Sequence, residues 1–214
     1  MDKEIKKHLA EILDDENIEV CSNEIRDLEK LLGISEGFCL KLLDEDDWSF
    51  VIKLHAILEA AIGNMLKTTI ENVSIDPAVS EKLEKIFSRL EMSNVDTGKV
   101  AFAKALNLLK KYEVEFITTL SQIRNQYVHN ISNIEKSLND NIKESHATKI
   151  EKFFDNSDIT KNLILQKPKL YIWKAGILLL SIIRLEHSIS NSKKKTLLLE
   201  LETLDKLYKN NRCP

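Results

Sequence analysis

Apolar residues recur along most of this chain at intervals of three and four, the spacing that gathers them on one face of an α-helix. Ile5, Leu9, Ile12 and Leu13 predict an amphipathic helix over residues 2–13, and Ile25, Leu28, Leu31 and Leu32 a second over 23–32 that Gly33 stops. A third short helix is predicted over 36–43. It runs into Asp44, Glu45, Asp46 and Asp47, whose carboxylates suit the start of another helix because they cap free amides and oppose the positive end of the dipole. From Trp48 to Thr69, Val51, Leu54, Leu58, Ala61, Ile62, Met65 and Leu66 form a stripe broad enough to bury that helix over much of its surface.

Pro77 opens the next periodic segment, which carries Val79, Leu83, Ile86, Phe87 and Leu90 before Ser93 to Gly98 interrupts it. Helix resumes over Lys99–Leu109, and Glu113–Tyr127 is expected to follow as an antiparallel neighbour. Residues 130–150 are polar, with Ser132 and Glu135 spaced as a capping box, so a short helix between loose connections is expected there, anchored by Phe153 and Phe154. Pro168 then starts a long apolar helix to about Ser190, expected to lie along the Trp48–Thr69 helix. Lys193, Lys194 and Lys195 separate it from a last amphipathic helix with Leu197, Leu198, Leu201, Leu204 and Leu207. The pattern describes an all-α helical bundle in a single domain, 1–214, with an N-terminal helical extension over 1–45, a core over 46–190 and a C-terminal helix over 191–214.

Composition agrees with helix, since 5 Gly and 3 Pro in 214 residues leave few breaks. The balance of 31 basic against 34 acidic residues excludes a global positive field, so any RNA contact must come from a local patch. Cys21, Cys39 and Cys213 are widely spaced and fit reduced thiols better than a disulfide framework or a zinc site. The charged N-terminus lacks the apolar centre of a signal peptide, and the longest apolar run, Ala175–Ile183, is far short of the roughly 20 residues that cross a bilayer. The expectation is a cytoplasmic protein with no membrane contact.

The most specific chemistry lies in Ser121–Asn130. Arg124, Asn125 and His129 place a phosphate-binding cation, an amide and a proton-transfer group within little more than one helical turn. The same helix buries Phe116, Ile117, Leu120, Ile123, Tyr127 and Val128. Helical geometry puts Arg124 roughly 40° from the centre of that stripe and Asn125 and His129 roughly 140° and 180° away. An arginine so placed needs a partner: Glu59, a subunit surface or a phosphate. His129 at the helix end also suits a simple capping role. His55 and Glu59, four apart, are expected to form a satisfied polar pair, since they lack further metal ligands. The single glycine of Ser93–Gly98 indicates ordinary turn chemistry, and no nucleotide, metal or other cofactor is assigned.

The order Arg124-Asn125-Gln126-Tyr127-Val128-His129 resembles the signature of HEPN domains, an Arg usually followed by a polar residue and separated by four to six residues from a His. Gly98–Asn107, Phe116 and Leu120–Asn130 are similar to the mannitol-repressor-like branch of that superfamily, and Asp47–Glu59 is similar to its first core helix. The resemblance covers less than half of the chain. It implies a HEPN-type bundle, a homodimer whose two Arg/His motifs face one cleft, and a metal-independent endoribonuclease, a toxin or phage-defence effector, with an antitoxin or regulatory protein as a further partner. On that basis Arg124 and His129 are the catalytic residues, Asn125 orients the RNA phosphate and Glu59 is a supporting polar residue. The alternative it implies is a non-catalytic regulator or adaptor acting through protein contacts. HEPN toxins paired with a nucleotidyltransferase commonly carry Tyr two residues after the His; Ile131 stands there, and that pairing is not expected.

Overall fold

The computed structural model describes residues 22–73, 77–94, 96–154 and 159–210, and among them the regular secondary structure is all helical, with no strand. The predicted helix over 2–13 lies outside the described residues, as do Cys21 and Cys213. The helices are α1 (Ser22–Leu32), α2 (Phe38–Lys41), α3 (Asp47–Val73), α4 (Pro77–Arg89), α5 (Lys99–Ala105), α6 (Lys111–Val128), α7 (Leu138–Asn141), α8 (Glu144–Phe154), α9 (Lys161–Gln166) and α10 (Pro168–Asn210).

The broad apolar stripe makes α3 the axis of the bundle. Leu54, Leu58, Ile62 and Leu66, one per turn, are wholly buried, and α10, α4, α6 and α5 all pack on this helix. By length and composition α3 would also satisfy a membrane span, but it carries Lys53, His55, Glu59 and Lys67, and half of its most apolar window is enclosed by the bundle. Its largest partner is α10, as the two apolar stripes predict. Gly176 makes that contact close: a Cβ there would stand 2.8 Å from Leu54 Cδ1.

Local chemistry sets the ends. Gly33 at φ +67 lets Ile34 N–H donate to the Glu29 carbonyl (3.0 Å) and closes α1, as its sequence position predicts. The Glu29 carboxylate is buried and accepts the backbone N–H groups of Gly37 and Cys39, both at 2.7 Å, so it fastens α2 to α1. Burial, reinforced by the Glu29 charge, pushes the Cys39 thiol up to about 12. Within the acidic run Asp46 is the cap of α3, accepting Ser49 N–H at 2.9 Å.

Three expectations need correction. The capping box of the polar stretch is at Ser137 and Asp140, not at Ser132 and Glu135; Ser132 instead donates to Asn130 Oδ1 in a tight turn. The α5 helix ends at Ala105 rather than Leu109, because Asn107 adopts φ 57. The helices expected on either side of Lys193–Lys195 are one helix of 43 residues, since nothing in that stretch breaks the backbone and lysine is a good helix former.

Candidate active site

The Arg/His stretch lies on α6. Its N-terminus is fixed by Glu113, a buried carboxylate that accepts Lys110 N–H at 2.7 Å. Phe116, Ile117, Leu120, Ile123 and Tyr127 are buried as the spacing predicts, whereas Val128 is 43% exposed, because the helix end projects past the apolar layer. Beyond it the chain is tied back: Asn133 Nδ2 donates to the Gln126 carbonyl at 2.9 Å, and the Tyr127 hydroxyl donates to the Lys136 carbonyl at 3.1 Å. These bonds hold the segment that displays His129.

Arg124 is half-buried. Its Nη1 donates to Oδ1 of the neighbouring Asn125 at 3.0 Å, and among the described residues no carboxylate forms an ion pair with it. Glu59, the carboxylate expected from sequence as a partner, accepts instead from Lys99 Nζ at 2.6 Å. Lys99 is mostly buried, and Glu59 is more open to solvent. Among the described residues Arg124 thus has an amide partner and no carboxylate, which leaves its guanidinium able to pair with a phosphate.

His129 is exposed at the C-cap of α6, where its backbone N–H donates to the Asn125 carbonyl at 3.0 Å. No hydrogen bond joins it to Arg124 among the described residues. On the α6 backbone the two positions stand roughly 140° apart in projection, while the Arg124 guanidinium bonds to Asn125, one turn before His129. Val128, next to His129 in sequence, is exposed, as is Ile134 five positions on.

His55 is not the partner of Glu59. It is buried between α3 and α6, where its Nε2 and the Ser121 hydroxyl share a hydrogen bond of 3.0 Å. Burial holds its imidazole below the ordinary histidine value; Glu59 pulls the other way, and the Arg124 and Lys99 charges add to the depression. It is thus neutral near pH 7. Lys99 and Ser121 are the polar residues that sequence reasoning left out, and no local signal marks either: their bonds span 40 and 66 positions.

Gly98 explains how Lys99 reaches this place. A Cβ on Gly98 would lie 2.6 Å from the Asn94 carbonyl oxygen and 2.7 Å from that of Glu91, so only glycine admits the turn that presses against the start of α5. Lys99 and Val100 N–H donate to the Glu91 and Met92 carbonyls at 2.9 and 3.0 Å. The first amides of α5 are therefore satisfied from within the chain, in keeping with the ordinary turn chemistry expected of this loop. Among the described residues there is no cluster of three or more His, Cys, Asp or Glu side chains placed to hold a metal ion. No family model matches the chain, and no curated protein or solved structure matches it significantly.

Proposed function

We propose that this protein is a metal-independent endoribonuclease of the HEPN type, acting at a cleft between two copies of the chain. The observation that supports it is the half-buried Arg124 guanidinium, which bonds to the neutral Asn125 amide and pairs with no carboxylate among the described residues, while Lys99 occupies Glu59. In the reaction the RNA 2′-oxygen attacks the adjacent phosphorus. The O2′–P bond forms, the P–O5′ bond breaks, and the products are a 2′,3′-cyclic phosphate and a 5′-hydroxyl. His129 takes the proton from the 2′-hydroxyl, and solvent water protonates the departing 5′-oxygen. Arg124 stabilises the charge that gathers on the phosphorane oxygens, and Asn125 orients the phosphate. Two copies are invoked because the Arg124 and His129 positions stand roughly 140° apart around one helix.

The test is expression of the wild type beside Arg124→Ala and His129→Ala, with RNA integrity and cyclic-phosphate ends as readouts. Cleavage lost in both variants while their helical circular dichroism is retained is the expected result; RNA degraded equally by all three would refute the assignment. The second reading, a non-catalytic regulator or adaptor, draws on the exposed apolar side chains Val128, next to His129, and Ile134 in the turn that follows, which suit a protein contact. It predicts that His129→Ala keeps the biological effect while Val128→Asp and Ile134→Asp abolish it.

A further inference from the structure

Helices α3 and α6 pack on each other, and both carry wholly buried apolar side chains, Leu54 and Leu58 on one and Phe116 and Leu120 on the other. Among the described residues a directional side-chain contact joins them, the 3.0 Å bond between His55 Nε2 and Ser121 Oγ. Apolar packing tolerates small rotations of one helix against another, whereas a buried hydrogen bond does not, because breaking it strands two polar groups away from water. Such a bond adds little net stability and much definition.

What it defines is the setting of Arg124. Ser121 lies one turn before Arg124 on α6, and in projection it falls between Arg124 and Asn125, roughly 60° from one and 40° from the other. A constraint on Ser121 thus fixes the direction in which both leave the helix. The charged groups facing the imidazole are Glu59 on α3, Lys99 on α5 and Arg124 on α6. Lys99 and Glu59 satisfy each other, so His55 is left to serve α6.

We propose that His55 and Ser121 form a positioning pair for the phosphate site, holding α6 in the rotation that presents Arg124 and Asn125 together to the substrate. Neither group touches RNA; both act through Arg124. The assignment rests on the ribonuclease reading for its substrate, and its structural content can be judged without it.

The experiment uses the full chain with His55→Phe, which keeps the volume and removes the bond, Ser121→Ala, the double variant, and His55→Gln, which returns a polar atom near the Nε2 position. On a single-stranded RNA oligonucleotide, with rates referred to the folded fraction, His55→Phe and Ser121→Ala should each lower kcat by about tenfold or more with little change in KM. The double variant should be no worse than either, and His55→Gln should recover most of the rate. A folded His55→Phe protein with wild-type kcat overturns the proposal, as does a glutamine variant as poor as the phenylalanine one. If the wild type shows no cleavage that depends on Arg124 and His129, the ribonuclease reading fails by itself. The positioning pair is then decided by the Arg124 Nε–H resonance during titration with inorganic phosphate. A response present in the wild type and in His55→Gln but lost in His55→Phe supports it; an equal response in all three, or none in the wild type, overturns it.

Discussion

Two buried histidines tie the stability of this protein to pH. His55 is held below the ordinary value of 6.5 mainly by burial, and so is His146, with Lys143 and Lys149 adding to the effect. His146 accepts Lys143 N–H through Nδ1 at 3.2 Å, a bond that only an unprotonated nitrogen can make. Below 6.5 the unfolded chain binds protons that the folded chain refuses. The contribution of these imidazoles is therefore complete above 6.5 and is lost as pH falls through the window beneath it. Melting temperatures at pH 7.5, 6.5 and 5.5 should fall with acidity, and His146→Gln should make the fall shallower whatever its effect at pH 7.5. An unchanged slope in the variant would remove His146 from this account. Little of this was legible in the sequence: His55 and Glu59 sit four apart on one helix, yet each bonds to a residue on a different helix.

The elements themselves follow the apolar spacing closely, and the glycines show where spacing is not enough. Gly98 and Gly176 both admit close approach, but the neighbours differ: backbone carbonyls at Gly98, the end of a flexible leucine side chain at Gly176. Gly98→Ala should cost about 1–3 kcal/mol in urea unfolding, because the tight turn must open and the Lys99–Glu59 pair moves with it. Gly176→Ala should be nearly neutral, since Leu54 can rotate and alanine gains about 1 kcal/mol of helix propensity over glycine. Equal costs for the two would contradict this difference in surroundings. The same logic explains the long α10: three consecutive lysines look like a boundary in composition, but none of them interrupts the backbone ladder.

At the scale of the whole molecule the issue is whether one chain or two make the site. If Arg124 of one copy works with His129 of the other, Arg124→Ala and His129→Ala chains that are each inactive should regain activity when expressed together. A random mixture places both intact residues at one of the two sites of each hybrid dimer, so roughly a quarter of wild-type activity is expected. No recovery, with hybrid dimers demonstrated by differently tagged chains, would mean that both residues act from the same copy.

The sequence by itself determined the helical class and where most of the longer helices begin, because these follow from the 3.6-residue period and from local cap and turn chemistry. Tertiary structure alone decided which polar groups meet. Lys99 takes Glu59 and Ser121 takes His55 because packing brings α5 and α6 against α3. A side chain's partner depends on what lies across an interface, and helical periodicity carries no record of it. That is why Arg124 could be recognised in the chain as a candidate, while its lack of a carboxylate partner among the described residues is visible only in the folded molecule.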